Sequence, residues 1–310
     1  MRLKSKYTKI ERDARTGVRV NPQETPAVFI DISSRLAYID FQLASMLAPK
    51  KSLGQNFLRD QNIARKIVDS LHAHPSDVIL EIGPGQGDLT RLLFEVSSTV
   101  VGVELDPRAA GILKERFGPA LHLLEQDVLS VNLKELAMRF GQDLCIVGNI
   151  PYYITSEILF WLFDQRDSIR HATLTMQWEV AARLVAHKES KAYGILSVFS
   201  QLYADTKLLF KVSRNSFHPR PQVDSAVVRF EFGKRQAPAD ERLLRNIVRC
   251  TFGTRRKTIR NGLRMMGFSE QQLDEVVFDF TKRPEQLSPS EFVHLSSLLA
   301  RHAASLSMKY

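Results

Sequence analysis

Three observations predict an α/β fold built on a Rossmann-like parallel sheet. Short apolar runs alternate with helix-like stretches from Asp77 onward. The runs are continuously apolar, which is typical of strands that are buried on both faces. A glycine-rich turn follows the first run and opens a helix, as in nucleotide-binding βαβ units. After residue 240 the pattern indicates helices and no further strand, so we expect a small all-helical C-terminal domain.

The alternation predicts the individual elements in order. We expect strands at residues 77–83, 99–106, 121–127, 144–149 and 172–176, and helices at residues 88–96, 108–117 and 156–163. Residues 223–232 alternate apolar and polar side chains, which indicates a late antiparallel strand. Residues 234–239, Lys-Arg-Gln-Ala-Pro-Ala, indicate a linker before the C-terminal helices.

Composition favours a globular protein that binds a polyanion. The chain has 310 residues, 44% of them hydrophobic, and a formal net charge of +9. A basic surface attracts nucleic acid or an anionic membrane. Nucleic acid is favoured because no apolar run is long enough to cross a bilayer and no lipidation motif is present. Cys145 and Cys250 indicate reduced thiols, so we expect a cytoplasmic protein without a metal site.

The glycine-rich turn at residues 81–90, Glu-Ile-Gly-Pro-Gly-Gln-Gly-Asp-Leu-Thr, predicts a ligand site. Gly83, Gly85 and Gly87 let the backbone pass close beneath a ligand, where a Cβ atom would collide. The spacing is G-x-G-x-G, which differs from the G-x-G-x-x-G of dinucleotide enzymes.

Acidic residues end the next two predicted strands. Glu104 would accept hydrogen bonds from the ribose hydroxyls of an adenosine-bearing ligand, and Asp127 from an adenine amine. Up to this point S-adenosylmethionine and a nicotinamide dinucleotide both fit the pattern.

The segment Gly148-Asn149-Ile150-Pro151-Tyr152 favours S-adenosylmethionine. Its Asn-x-Pro-Tyr form resembles the signature of methyltransferases that modify amines of planar ring systems. The adenine amine is a poor nucleophile, because its lone pair is delocalised into the ring. Hydrogen bonds to the Asn149 side-chain oxygen and a carbonyl near Ile150 would draw that lone pair out of conjugation. Tyr152 would stack on the extruded base, and transfer from a sulfonium needs no general base.

A second aromatic candidate lies in residues 216–221, Ser-Phe-His-Pro-Arg-Pro. Phe217 is predicted to form the wall of the base pocket opposite Tyr152, although a lone Phe before prolines is more often part of a core. His218 is expected to be exposed and not catalytic.

The sequence resembles the small-subunit ribosomal RNA adenine dimethyltransferases of the KsgA type, which share ancestry with the macrolide-resistance methylases of large-subunit RNA. The resemblance spans about Lys50 to Leu298. It rests on six segments in the same order as in the family: residues 52–58, 81–87, 103–106, 149–152, 217–228 and 252–263. Departures are mild, with Gln86 and Ile150 each standing where the family often has Leu.

The resemblance implies the fold, the cofactor and the roles of the site residues. It implies a class I methyltransferase fold in which Asn56 and Leu58 close over S-adenosylmethionine. The residues that would contact the cofactor are Gly83, Gly85, Glu104, Asp127 and Asn149. Those that would frame the target adenine are Asn149, Tyr152 and Phe217. It further implies four methyl transfers, two to each of two adjacent adenines, late in small-subunit assembly.

The domain boundaries are predicted at residue 46 and at residues 234–239. Residues 46–233 would form the methyltransferase domain, and residues 240–310 a helical RNA-binding domain. The basic residues 1–45 have no counterpart in the family. Either they form a disordered arm that helps hold RNA, or Met46 is the true initiator. We expect a monomer.

The RNA contact is predicted in a basic run between Arg242 and Arg264, which contains eight cations and no acid. Such a run repels itself unless an anion neutralises it, which favours contact with phosphate over a solvated helix face. The predicted RNA-binding residues are Arg255, Arg256, Lys257 and Arg260.

Three alternatives remain open beside a small-subunit enzyme. The basic C-terminal run argues against a large-subunit methylase of the resistance type. A non-catalytic assembly or RNA-binding factor would leave the intact Asn149-to-Tyr152 segment without a role. A dinucleotide oxidoreductase would leave three features without a role: the Asn149-to-Tyr152 segment, the Phe217 segment and the basic C-terminal run.

Overall fold

The computed structural model describes residue 50 and residues 54–233 and 240–303. The strands are β1 (Phe57–Leu58), β2 (Val78–Ile82), β3 (Thr99–Val103), β4 (Leu121–Leu124), β5 (Leu144–Asn149), β6 (Ile169–Gln177), β7 (Asp205–Val212), β8 (Phe217–His218) and β9 (Ser225–Glu231). The helices are α1 (Gln61–Asp69), α2 (Asp88–Leu93), α3 (Pro107–Phe117), α4 (Leu133–Phe140), α5 (Thr155–Asp164), α6 (Trp178–Leu184), α7 (Ile195–Tyr203), α8 (Glu241–Gly253), α9 (Ile259–Met265), α10 (Glu270–Asp274) and α11 (Pro289–Ala303). The predicted leader at residues 1–45 and the predicted linker at residues 234–239 lie outside the described residues.

Seven strands form one sheet in the order β4-β3-β2-β5-β6-β9-β7. The pairs from β4 to β6 are parallel, and β9 and β7 continue the sheet in antiparallel orientation. Ile82 at the end of β2 lies level with Val103 of β3 on one side and with Gly148 of β5 on the other. The direction of strand addition reverses between β2 and β5, and open α/β sheets bind ligands at the carboxyl ends of strands at such a point.

Short capping sequences start the helices that follow the strands. The Asp60 side chain accepts from the backbone N–H of Asn62 at the start of α1, at 3.0 Å. The Asp106 side chain accepts from the N–H of Arg108 at 3.1 Å, and Pro107 occupies the first turn of α3. These caps satisfy N–H groups that have no partner inside the helix, so each helix begins directly after its strand or loop.

The predicted sheet and helical C-terminal region are confirmed. Strand β5 has the predicted bounds, and the predicted late strand, β9, pairs antiparallel with β6 and β7. Strand β7 was not predicted. It forms the sheet edge, its side chains are mostly half-exposed or exposed, and Lys207 and Lys211 interrupt the apolar pattern that marks the buried strands.

The C-terminal helices share one hydrophobic core with the sheet. Leu243 of α8 and Phe292 of α11 are fully buried in the same cluster as Phe199 of α7. The Tyr193 hydroxyl, in the segment before α7, donates to the carbonyl of Leu287 at 2.8 Å. The apolar contact and the buried hydrogen bond fix the position of the helical region on the α7 side of the sheet.

The described residues include both cysteines, and they bear on two further points of the composition, membrane-spanning helices and metal clusters. None of their helices is long and apolar enough to cross a membrane, and they contain no cluster of three or more His, Cys, Asp and Glu that could hold a metal ion. Cys145 is buried and Cys250 half-buried, and both are free thiols. Burial raises the pKa of the Cys145 thiol to about 11, so this cysteine is protonated at neutral pH.

Candidate active site

A cleft opens at the carboxyl ends of β2, β3 and β5. Its empty space is about 800 Å³ when the open solvent at its mouth is included. The predicted site residues that line it are Asn56, Gly83, Gly85, Glu104, Asp127, Asn149 and Tyr152. Residues that the sequence analysis did not single out also line it: Gly54, Gln55, Leu105, Gln126, Val128 and Tyr153.

The turn between β2 and α2 brings backbone to the surface of the cleft. Gly83 and Gly85 adopt left-handed conformations, with φ of 64° and 59°. A Cβ atom on Gly85 would lie 2.9 Å from the ring of Phe57, whereas the space around Gly83 is open. Only glycine holds this backbone without strain, so the turn forms a cradle that a side chain would fill.

Glu104, at the end of β3, is buried and firmly oriented. Its Oε2 accepts from the N–H of Gly85 at 2.9 Å, and its Oε1 accepts from the N–H of Asp106 at 2.8 Å. Burial raises the pKa of the Glu104 carboxyl despite these two hydrogen bonds. Each oxygen keeps a lone pair for a further donor, which suits a pair of ribose hydroxyls.

The cleft becomes apolar beyond Glu104. Leu105, which is half exposed, and the buried Val128 line it there, and such side chains suit the faces of a flat ring. Asp127 is exposed, and its Oδ1 accepts from the N–H of Leu129 at 2.9 Å. Its Oδ2 has no hydrogen bond within the described part of the chain and can accept from an exocyclic amine. The donors and acceptors on this side therefore fit the adenosine portion of S-adenosylmethionine.

The Asn149 amide is held by one of its two polar atoms. Its Nδ2 donates to the backbone carbonyl of Asn56 at 2.8 Å. Its Oδ1 accepts no hydrogen bond from any described residue, so an acceptor remains on a side chain that lines the cleft. The N–H of Ile150 donates to the carbonyl of Thr175 at 3.1 Å, which fixes the loop to β6. The arrangement presents a fixed amide acceptor for an incoming N–H group.

Residues 54–58 form a strap along the cleft. The strap is held by Asn149 through Asn56, and by the Gln55 Nε2, which donates to Asp106 Oδ2 at 3.3 Å. Its strand β1 pairs with β8, so that Leu58 lies opposite Phe217. The Tyr153 ring packs against Gly54, where an added Cβ would lie 2.9 Å from the ring. The strap therefore connects the cofactor side of the cleft with the Asn149 side.

Tyr152 and Phe217 occupy different environments. The Tyr152 side chain lines the cleft, and its hydroxyl forms a 2.7 Å hydrogen bond with Ser225 Oγ on β9. Burial raises the pKa of Tyr152, so the phenol is neutral at physiological pH. Phe217 is only 4% exposed and does not line the cleft. Phe217 lies opposite Leu58 of the strap where β8 pairs with β1, and Leu58 lines a smaller adjacent hollow.

Glu81 is a site residue that the sequence analysis missed. It lines the same smaller hollow as Asn149, and it is 2% exposed. Burial raises its pKa to about 8, opposed by a 2.6 Å hydrogen bond in which Thr90 Oγ1 donates to Glu81 Oε2. The carboxyl is therefore protonated at neutral pH. The available signal was an acid inside an otherwise apolar strand, Val78–Ile82.

Half of the basic run of residues 242–264 is paired within the protein: four of its eight cations form ion pairs with described acids, namely Arg245, Arg255, Arg260 and Arg264. Arg245 pairs with Asp164, and Arg260 donates to Glu270 at 2.6 Å and to Asp274 at 2.9 Å. The run lacks acids in sequence, but the tertiary structure supplies them from α5 and α10.

Arg255 also has partners within the protein. Its guanidinium donates to the carbonyls of Ser190 at 3.1 Å and Lys191 at 3.0 Å, and it lies 3.7 Å from a Glu285 carboxylate oxygen. Arg256 and Lys257 are exposed and form no ion pair with any described residue. Of the four predicted RNA-binding residues, these two have unoccupied cationic groups.

Two solved structures share this architecture. A dimethyladenosine transferase from Plasmodium falciparum is 26% identical, with a TM-score of 0.66, and the match covers 81% of this chain and 98% of that one. The 23S rRNA methyltransferase ErmE is 28% identical, with a TM-score of 0.58, over 79% of this chain and 100% of its own. The strand order and the cleft above the glycine turn thus define a class I methyltransferase.

The particular family follows from the sequence match. The chain belongs to the ribosomal RNA adenine dimethylase family, which matches residues 46–300, and the predicted resemblance is confirmed. A protein named ribosomal RNA small subunit methyltransferase A from Chlorobium phaeobacteroides strain BS1 is 47% identical over 249 residues, 80% of this chain and 93% of the relative. Its namesake from Porphyromonas gingivalis is 43% identical over 254 residues, 81% of this chain and 97% of the relative.

Proposed function

We propose that this protein uses S-adenosylmethionine to dimethylate the N6 amines of two adjacent adenines near the 3′ end of small-subunit ribosomal RNA, during ribosome assembly. The observation that carries the proposal is the Asn149 amide. Its Nδ2 is fixed by the Asn56 carbonyl, and its Oδ1 is left as an acceptor at the cleft. The small-subunit assignment is supported by the names of the relatives that are 43–47% identical.

The cleft residues would hold the cofactor by its adenosine and methionine portions. Glu104 would accept from the ribose hydroxyls, Asp127 from the adenine amine, and Leu105 would cover the ring. The turn at Gly83 and Gly85 would pass beneath the ligand, with the strap at Asn56 above it. When bound, the cofactor supplies a methyl group on a sulfonium, which is already activated for transfer.

The protein's part in the reaction is to orient the adenine amine. Asn149 Oδ1 and the carbonyl of Ile150 would accept its N–H groups, so that the nitrogen lone pair leaves conjugation and points at the methyl group. Tyr152, held by Ser225, would stack on the extruded base. The proton leaves to solvent after transfer, so no carboxylate or histidine is needed as a base.

RNA would extend from the cleft over the helical C-terminal region. We assign residues 46–233 to catalysis and residues 240–310 to RNA binding. Arg256 and Lys257 would contact phosphates, whereas Arg255 and Arg260 would position that surface through their internal partners. Cofactor and substrate both fit one copy of the chain, which we propose acts as a cytoplasmic monomer on the assembling small subunit.

A second candidate is methylation of large-subunit RNA. It is favoured by the likeness to the 23S rRNA methyltransferase ErmE at 28% identity. The small-subunit relatives are considerably more similar to this chain, so the small-subunit substrate is the better proposal.

The test is methyl transfer from labelled S-adenosylmethionine to under-methylated small subunits, with intact large subunits alongside and nucleoside analysis of the products. We expect dimethyladenosine in small-subunit RNA only. The Asn149→Ala variant should lose roughly 10²- to 10³-fold in kcat, because one fixed transition-state partner is removed. The Tm of the variant, compared with that of the wild type, checks that it still folds. Label in large-subunit RNA alone, or an Asn149→Ala variant with full activity, would refute the proposal.

A further inference from the structure

One of the two tryptophans is exposed and follows the strand next to β9, which holds Tyr152. Trp178 begins α6 directly after β6 and is 40% exposed, and nearby Val223 is 42% exposed. The other tryptophan, Trp161, is 8% exposed and donates its indole N–H to the carbonyl of Val131. An isolated exposed apolar side chain needs no explanation, so the surroundings of Trp178 decide what it does.

Hydrogen bonds place Trp178 close to the predicted base-stacking tyrosine. The Tyr152 hydroxyl binds Ser225 Oγ at 2.7 Å, and Ser225 pairs with Gln177 across β9 and β6. The N–H of Trp178 donates to the carbonyl of Asp224, the residue before Ser225, at 3.0 Å. Trp178 therefore lies one residue beyond the strand pair that anchors Tyr152.

The surroundings of Trp178 carry an excess of positive charge. The Lys211 ammonium lies 5.5 Å from the centroid of the Trp178 ring. Lys211 and Arg214 share one carboxylate, Asp224, at 2.8 and 3.2 Å. Arg220, in the loop that leads to Asp224, is exposed and has no ion pair within the described ranges.

The neighbouring acid does not cancel this charge. Glu179, next to Trp178, is already paired with Arg183 at 2.5 Å. An aromatic face among cations is the surface on which proteins stack the bases of single-stranded nucleic acid.

We propose that Trp178 stacks on the nucleotide next to the adenine that occupies the cleft, while Lys211 and Arg220 contact the adjoining phosphates. This inference rests on the proposed function. Extruding one of two adjacent adenines removes a stacking partner from its neighbour. An exposed indole replaces that partner, which holds the substrate strand in register with the cleft.

Two matched substitutions distinguish base stacking by Trp178 from a purely structural role of its side chain. Trp178→Phe keeps an aromatic face, whereas Trp178→Leu keeps an apolar side chain without one. With under-methylated small subunits we expect the Leu variant to raise KM about tenfold, and the Phe variant to stay within about threefold of the wild type. The affinity for S-adenosylmethionine and the Tm should change little in either variant. Met138→Ala, which alters an exposed apolar residue on α4, is the control and should not change KM.

The KM and Tm values together decide whether Trp178 stacks on a base or only stabilises the fold. Equal KM values for the Phe and Leu variants and the wild type would overturn the inference, as would losses that simply follow a lowered Tm. If the wild type itself fails to methylate small subunits, the proposed function fails before any Trp178 variant is compared.

Discussion

The cofactor side of the cleft and the basic run of residues 242–264 differ in what holds their functional groups. Gly85 and Glu104 are fixed by the backbone of adjacent strand ends, through φ of 59° and a 2.9 Å hydrogen bond between them. Arg255 and Arg260 are fixed by side chains and carbonyls from other segments. A short motif can therefore specify the cofactor side of the cleft, whereas the role of each cation in the basic run depends on the packing around it.

Among variants that compare these two regions, the largest effect is expected from breaking the backbone cradle. Gly85→Ala places a Cβ atom 2.9 Å from the Phe57 ring in a left-handed backbone. Strain of this kind costs about 1–3 kcal/mol, so the free turn relaxes away from the cradle conformation, which must be restored when the cofactor binds. The Kd for S-adenosylmethionine measured by calorimetry should therefore rise by roughly tenfold or more.

The control for this substitution is Gly111→Ala on α3, where nothing lies within 4 Å of an added Cβ. Cofactor affinity should not change in that variant, and the free energy of unfolding should rise by about 0.5–1 kcal/mol because alanine favours helix. If both glycine variants bind the cofactor like the wild type, the cleft does not hold it at Gly85.

A smaller effect is expected in the basic run, which should contain two kinds of cation: those that contact RNA phosphates and those that bind partners within the protein. The double variant Arg256→Ala/Lys257→Ala should weaken binding to under-methylated small subunits about threefold at low salt. It should also lower the slope of log affinity against log salt by about 1 per cation. Binding measured across a salt series checks both numbers.

Arg255→Ala is the matched comparison within the same run. It removes two hydrogen bonds to the carbonyls of Ser190 and Lys191, so it should lower the Tm and leave the salt slope nearly unchanged. A variant with a normal Tm and a reduced slope would show instead that Arg255 contacts phosphate directly.

The smallest effect on cofactor or RNA affinity is expected at Glu81, whose titration governs instead the pH dependence of stability. The pKa of Glu81 is raised by burial to about 8 in the folded protein, above its value in the unfolded chain. The native carboxyl therefore holds its proton while the unfolded one loses it, and the stability that this group contributes at low pH is lost as pH rises toward 8.

Glu81→Gln removes this titration. The free energy of unfolding should increasingly favour the variant over the wild type as pH rises from about 5 to about 8, by at most about 1.4 kcal/mol per pH unit, and the Tm of the two proteins follows this trend. A difference in Tm that stays constant over this range would mean that Glu81 does not keep its proton in the folded state.

The placement of the predicted site residues depended on how local their signals were. Gly83 and Glu104 follow buried strands and Asn149 ends one, and parallel strands bring their carboxyl ends to one edge, so their common placement in the cleft follows from the sequence, while their roles stay predictions. Phe217 and Leu58 pair across β1 and β8, two strands of two residues each that no periodicity could reveal.

The sequence by itself determined the α/β class, the parallel direction of the apolar strands, the glycine cradle and the Asn149 segment. These follow from hydrophobic period and backbone geometry, which act over a few residues. The tertiary structure decided that β7 forms an edge, that Arg255 and Arg260 bind internal partners, and that the Trp178 backbone is hydrogen-bonded to Asp224, the residue before the Tyr152 partner Ser225. Those outcomes depend on contacts between segments far apart in the chain, since a charge or an aromatic ring acquires its role from the groups that folding brings next to it.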